Sequence, residues 1–450
     1  MTNLVFKAEQ AMFYLLVFLV PFQVRKFLVM WVHPKAGVFN EWTTAFLYGT
    51  DLLIVALFIL WAIRSGDKWK EFSWKKINYA ERFLLIFLAV SAISLCVADN
   101  KGLGVYRLIK LAEFITLYFY LTRSVGKVFN LPSTLKVMMA SAWLQAIWAI
   151  AQAFLQRSLG LHWLGESVLR TNFYGVTVVP FEGGRFLRAY GATPHPNVLA
   201  AWLFMGIFCF YFWYLYPKKA RSFWPVLAVY VPLLWGFFFT FSRVVIGLWV
   251  LGLVVRLVWS FIYRKRFNLG PVFIKRVITL FMVSVMATLS FAYVYWPVVQ
   301  ARLYISSEDQ ALTQRIAYNK IAEEVTGDNP WLGVGVGQLV WDMLENLPAY
   351  AVYFYQPVHN IYLLVSSETG LIGLAAFGAF IFCLIYRYIL VTKLQNLGQL
   401  SFLVVIFSVF AMGLFDHFLW TLQQGQLIFW LILAFADISF LSAPKKNIID

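Results

Sequence analysis

The chain has 450 residues, 61% of them hydrophobic and only 13% charged, with a formal net charge of +16. A soluble domain carries about 25% charged residues. Water-soluble enzymes, disordered chains and disulfide-built secreted domains are therefore excluded, and a polytopic membrane protein is expected. Cys96, Cys209 and Cys383 each lie in apolar runs without metal-ligand spacing, so they read as small buried hydrophobes.

A transmembrane helix needs about 20 mostly apolar residues. In chain order such stretches lie near 10–23, 43–63, 83–98, 106–122, 137–155 and 198–216, then near 223–241, 244–262, 277–296, 361–386, 400–418 and 425–443. The expected architecture is all-α, with about twelve transmembrane helices in a single domain, 1–450. The first stretch, broken by Pro21 and followed by Arg25 and Lys26, lacks a small-residue cleavage site and reads as a retained helix. An even count puts both termini on one side. Placing them in the cytoplasm gathers more than half of the 37 basic residues into short cytoplasmic connections, as the positive-inside rule requires. The positive charge thus reports orientation, and no nucleic-acid partner is expected. Two long loops, about 156–197 and 297–360, then face outward, where long loops on a rigid scaffold tend to carry function.

The first outer loop ends in Gly184–Asn197, which leads into the sixth span. Pro194 and Pro196 force an extended approach, Asn197 is placed to cap a helix beginning at Val198, and Arg185 and Arg188 are three apart, on one helix face or turn. His195, between the prolines, reads first as structural, with a role as a base left open. Thr240-Phe241-Ser242-Arg243 joins two spans with almost no loop, so Arg243 sits at the membrane boundary and must snorkel or find an anion.

In the second outer loop a helix is expected from Ser306 to about Val325, opened by a capping box at Ser306 and Asp309. Leu312, Ile316, Ile321 and Val325 form its apolar stripe over the membrane mouth. Arg315 lies beside that stripe, and Glu308, Asp309, Glu323, Glu324 and Asp328 form a solvated face. Gly333, Gly335 and Gly337 complete no dinucleotide fingerprint and read as a tight turn. Gln356-Pro357-Val358-His359-Asn360-Ile361-Tyr362 opens a long helix past Glu368 and Gly370, with His359, Tyr362 and Ser366 on one face.

Several arginines and one histidine at a membrane mouth suit one kind of chemistry. The arginine fork matches phosphate oxygens, and a histidine takes a proton from a hydroxyl near neutral pH. Together they fit displacement of a lipid-linked phosphate by an alcohol, with arginine charge stabilising the departing oxygen.

The ordered motifs Arg188-x-x-Gly191…Pro196-Asn197, Ser242-Arg243, Arg315…Pro330-x-x-Gly333-x-Gly335 and His359-Asn360-x-Tyr362-Leu363…Glu368-x-Gly370 resemble the O-antigen ligase/polymerase superfamily over about residues 185–375. The resemblance implies a metal-independent, inverting glycosyltransferase without a cofactor. It implies transfer of a glycan from undecaprenyl pyrophosphate to an acceptor hydroxyl at the periplasmic face of a bacterial inner membrane. By match, Arg243 and Arg315 would hold the pyrophosphate, with Arg188 as a further anion contact. His359 would be the base, and Asn360 and Tyr362 would orient it or line the sugar site. The partners implied are the lipid-linked donor, a glycan or lipid A–core acceptor, and membrane lipids. The single large loop before the His-Asn motif favours a ligase, with a polysaccharide polymerase as the near alternative. A transporter or flippase of lipid-linked oligosaccharides is the alternative from another class. It would place charges deep in the spans, where Asp51, Glu113, Arg256 and Asp437 are scattered candidates, and would show repeat symmetry, which is not apparent.

Overall fold

The structure is a computed structural model, and it describes all residues except 1, 38, 67–76, 217–221, 305–309, 349 and 439–450. Among the described residues sixteen α-helices follow one another: α1 (Thr2–Leu19), α2 (Gly49–Ser65), α3 (Tyr79–Ser94), α4 (Lys101–Ser124), α5 (Leu131–Leu155), α6 (Pro196–Leu215), α7 (Val231–Phe238), α8 (Arg243–Ile262) and α9 (Pro271–Val294). Then come α10 (Trp296–Leu303), α11 (Gln310–Asp328), α12 (Leu339–Asn346), α13 (Ile361–Thr392), α14 (Leu397–Phe415), α15 (Phe418–Thr421) and α16 (Gln423–Ile438). Among the described residues seven helices are long and apolar enough to cross a membrane: α3, α5, α6, α8, α9, α13 and α14. Helices also occupy the other five expected positions. Of these α2 and α16 are shorter, at 17 and 16 residues. α4 carries Lys101, Arg107, Lys110, Glu113 and Arg123.

Local signals explain where the helices begin. Asn78, Asn100, Asn130, Asn360 and Asn396 cap α3, α4, α5, α13 and α14, each side chain accepting a backbone N–H of the first turn. α6 is buried on nearly every face, as expected of a helix that is hydrophobic all round. α8 and α9 instead expose Val250, Leu251, Ile262, Met286 and Leu289 on the outside of the bundle.

Charges inside the bundle are mostly paired between helices. Arg64 meets Glu9 at 2.6 Å, Arg123 meets Glu81 at 2.6 Å, and Lys110 lies 2.7 Å from Asp51 and 2.6 Å from Glu113. Asp437 accepts from Tyr118 at 3.0 Å and lies 3.7 Å from Arg387. These are clamps between α1 and α2, α3 and α4, α2 and α4, and α13 and α16. Arg256 differs: among the described residues its buried guanidinium has no hydrogen-bond partner, and it lies over the Tyr211 ring at 4.8 Å.

The loops contain two hairpins that the all-helical expectation omitted. β1 (Arg25–Met30) pairs antiparallel with β2 (Thr44–Tyr48), and β3 (Val178–Phe181) with β4 (Gly184–Leu187). They are local, too short for a hydrophobic period to stand out, and neither closes into a larger sheet. β4 also separates the two loop arginines. The strand replaces the expected helix face or turn, with Arg185 exposed within it and Arg188 buried just past its end.

The proposed capping box at Ser306 and Asp309, with Glu308, lies outside the described residues. α11 itself is present: of the expected stripe Ile321 and Val325 pack beside buried Tyr318 and Ala322, Ile316 is 62% exposed, and the Leu312 side chain lies outside the described residues. Glu323, Glu324 and Asp328 are exposed as expected. The glycine turn is tight, and it docks. Gly333 has φ +63°, and a Cβ there would lie 2.4 Å from the Ser367 carbonyl oxygen. It fits against a break in α13 at Gly370 (φ 69°, ψ −177°), where Leu371 N–H donates to the Pro330 carbonyl at 2.8 Å.

Candidate functional site

One end of the bundle gathers the start of α6, the α7–α8 turn, the end of α10, α11, the start of α13 and the α14–α15 junction. The segment before α6 is held to α5 by three glutamines. Gln145, Gln152 and Gln156, spaced seven and four apart, share a helix face. Gln145 Oε1 accepts Ala192 N–H at 2.8 Å, Gln152 Oε1 accepts Tyr190 and Gly191 N–H at 3.0 and 2.8 Å, and Gln156 Oε1 accepts Leu187 N–H at 2.8 Å. The N–H groups of a buried, irregular backbone are thereby satisfied.

Arg188 is fixed within this segment. Its Nε donates to the Thr240 carbonyl at 2.7 Å, and an Nη donates to Asn197 Oδ1 at 2.7 Å. Burial pushes its pKa down to about 9, with Arg302 and Arg243 adding repulsion and Asp416 opposing it. Three guanidiniums therefore share one region. Arg302, which sequence reasoning did not single out, donates through Nε to the Phe241 carbonyl at 3.0 Å.

Asn197 does not cap α6. The cap is His195, whose Nδ1 accepts Asn197 N–H at 3.2 Å while Nε2 lies 3.4 Å from Thr177 Oγ1. Both ring nitrogens are thus engaged, and burial, then Arg188, pushes the imidazole down to about 3. The Asn197 side chain is left to bridge: it accepts from Arg188 and donates through Nδ2 to Asp416 Oδ2 at 2.6 Å.

Asp416 and His417, at the end of α14, were missed in the sequence. A charged residue beside a histidine between two apolar stretches is the same signal that singled out Arg243. Asp416, His417 and His359 each present one polar atom, and those atoms all lie within 4.8 Å of one another. The His359 and His417 rings meet edge to face at 4.8 Å between centroids. His417 Nδ1 lies 2.7 Å from Thr421 Oγ1, and its ring meets Trp42 at 5.0 Å. Burial, then the neighbouring His359, pushes His417 down to about 3. Burial alone would raise the Asp416 carboxyl, but the adjoining imidazoles and Arg315 outweigh it, and it lies well below the usual carboxylate range.

His359 precedes the Asn360 cap, so it stands outside α13 and does not share a helical face with Tyr362 and Ser366 as the spacing suggested. Its ring stacks on Tyr318 of α11 at 5.8 Å, and its Nδ1 is buried without a hydrogen-bond partner among the described residues. Burial lowers its pKa, with Asp416 raising it and Arg315 lowering it. Arg315 lies three residues before Tyr318 and so on the same face of α11, close enough to bias His359, His417 and Asp416. Asn360 Oδ1 is occupied by Tyr362 and Leu363 N–H, at 2.9 and 3.3 Å. The Tyr362 hydroxyl donates to the Phe410 carbonyl at 3.1 Å. Asn360 thus fixes the start of α13, and Tyr362 ties that helix to α14.

A cavity of about 50 Å3 opens beside this cluster, lined in part by Trp42, Arg107, Lys110, Glu368, Trp420 and Thr421. It has room for a few waters and not for a sugar.

Residues 228–378, about a third of the chain, match the O-antigen ligase family. That segment holds Arg243, Arg302, Arg315, His359, Asn360 and Tyr362. Arg188, His195, Asn197, Asp416 and His417 join the site from outside it. No curated protein matches the chain. The matched segment brings with it the arginine and histidine motifs around which the site is built, and it supports membership of the O-antigen ligase-like superfamily.

Proposed function

We propose that the protein is a metal-independent, inverting glycosyltransferase that moves a glycan from undecaprenyl pyrophosphate to an acceptor hydroxyl, acting as an O-antigen ligase. The site faces the outer side of a bacterial inner membrane crossed twelve times, with both termini in the cytoplasm. The observation that carries this reading is the position of Asp416. One carboxylate joins the guanidinium of Arg188, through Asn197, to the His359–His417 pair. Anion-binding charge and a proton acceptor are thereby held in one constellation.

In this reading His359 removes the proton from the acceptor hydroxyl as its oxygen attacks the anomeric carbon. The bond from that carbon to the pyrophosphate oxygen breaks on the opposite face, which inverts the configuration. The electron pair leaves on undecaprenyl pyrophosphate, where Arg243, Arg315 and Arg188 stabilise the charge. His359 suits the base because a ring nitrogen is unspent, whereas both nitrogens of His195 are engaged. Ionised Asp416 stabilises the imidazolium that forms, much as a buried carboxylate supports a histidine base elsewhere.

His359→Ala is expected to lose transfer by at least a hundredfold while binding the lipid-linked donor as the parent does. Unchanged turnover in that variant would overturn the assignment. If elongation occurs on a second lipid-linked glycan and not on lipid A–core, the polymerase branch replaces the ligase. Donor binding without transfer to any acceptor would favour a transporter.

A further inference from the structure

Among the described residues, one cluster presents three metal-ligating groups at a single point: His359, Asp416 and His417, with the ligand atoms all within 4.8 Å of one another. Two imidazoles and a carboxylate are a set that zinc-class ions accept. Asp416 and His417 are buried, and His359 is half-buried.

The detail at each residue favours a ligand. His417 Nδ1 is taken by Thr421 Oγ1 at 2.7 Å, which leaves Nε2 for an ion and lets Thr421 fix the ring. A second hydrogen bond of that kind orients metal-bound histidines. Asp416 commits Oδ2 to Asn197 at 2.6 Å, while Oδ1 accepts Phe418 N–H at a longer 3.4 Å. His359 Nδ1 is buried with no hydrogen-bond partner. A buried polar atom left unsatisfied calls for a partner, and here it stands beside two groups of complementary chemistry. The Trp42 and Tyr318 rings pack against the two histidines and limit access of water.

Zinc bonds to nitrogen and oxygen of about 2.0–2.2 Å need the ligand atoms closer than the present spacing. That approach requires a rotation of the His359 side chain, whose Nδ1 is held by no hydrogen bond among the described residues. Magnesium and calcium prefer six or more oxygen ligands and do not fit this set.

We propose that His359, Asp416 and His417 bind one divalent transition-metal ion of the zinc class, and that the bound ion inhibits the protein by occupying the imidazole used in transfer. The ion is an inhibitor and not a cofactor. Its binding is independent of the function proposed above, whereas the inhibition rests on it.

The test uses the full-length, tag-free protein, purified in detergent and stripped with a chelator that is then removed. Titration with Co2+ is expected to give a visible absorption band that saturates at one equivalent, is displaced by Zn2+ and is unaffected by Mg2+. His417→Ala and Asp416→Asn are expected to weaken binding at least tenfold. His33→Ala, at the separate His33–Glu345 pair, is expected to leave it unchanged. If either site variant fails to fold, Zn2+ protection of His359 and His417 from diethyl pyrocarbonate in the parent, mapped by mass spectrometry, locates the ion directly. No saturable binding, or binding that survives in both folded site variants without protection of these histidines, would overturn the site. Filling the site is expected to lower transfer at least tenfold, reversed by chelator, and full activity with one ion bound would overturn the inhibition. Metal binding at these residues in a protein that transfers no glycan under any condition would leave the site standing and remove the functional reading instead.

Discussion

Asn197 answers two charged groups at once, accepting from Arg188 and donating to Asp416. A hydrogen bond to a charged group contributes roughly 1.5–3 kcal/mol, and both bonds are lost in Asn197→Ala. Arg188 then keeps its bond to the Thr240 carbonyl, with Arg302 and Arg243 still repelling it. Asn197→Ala is expected to lower transfer by at least tenfold and weaken donor binding, read from initial rates and a donor-binding isotherm. Donor binding equal to the parent would remove Arg188 from the anion site. For Arg315 and Arg243 the sharper variant is lysine, which keeps the charge and loses the planar fork. Each is expected to reduce kcat/KM by about tenfold or more, equivalent to about 1.4 kcal/mol. Full activity in Arg315→Lys would mean that charge alone suffices.

The long connection between α5 and α6 hangs on Glu166 as well as on the three glutamines. Its carboxylate accepts from Trp148 Nε1 at 3.0 Å, Gln152 Nε2 at 2.8 Å, and Leu159 and Leu161 N–H at 2.7 Å each. Burial would raise the carboxyl, but these four donors outweigh it and its pKa is lowered. A depressed carboxyl stabilises the fold fully above the unfolded value of about 4.3, and that contribution is lost as pH falls through the folded value. Glu166→Gln is expected to open this loop to protease at neutral pH and to flatten the acid dependence of its protection, measured by limited proteolysis from pH 7 to pH 3. Protection that declines identically in both proteins would contradict this role. At the break in α13, Gly370→Ala adds about 1–3 kcal/mol of backbone strain and a Cβ only 2.1 Å from the Trp331 carbonyl oxygen. It is expected to lower Tm and activity together, whereas an unchanged Tm would show that the turn and the break are not tightly docked.

Much of this was legible in the sequence, for identifiable reasons. Apolar length marked the helices, and short motifs beside their ends marked Arg188, Arg243, Arg315 and His359. What a linear pattern hides is the partner supplied by a distant segment. Asp416 meets Asn197 across more than two hundred residues, and His417 meets His359 from another helix. The cap of α6 was misplaced because His195 performs the task usually given to Asn, Ser or Asp, which released Asn197 for the bridge. The separation of Arg185 from Arg188 was hidden by a four-residue strand.

Across the molecule, the family segment and the rest of the chain contribute unequally. Residues 228–378 supply His359, Arg243, Arg302 and Arg315. The segment before α6 and the α14–α15 junction supply the polar groups that connect them. The interhelical ion pairs at Lys110, Arg64 and Arg123 read as clamps between helices, and among the described residues they form no continuous charged path through the bundle. The central claim is therefore chemical transfer, tested most directly with purified protein, an undecaprenyl pyrophosphate-linked glycan, lipid A–core and excess chelator. The account predicts stoichiometric release of undecaprenyl pyrophosphate with growth of the acceptor through an inverted glycosidic bond. Donor that binds and stays intact, or transfer with retained configuration, would contradict it.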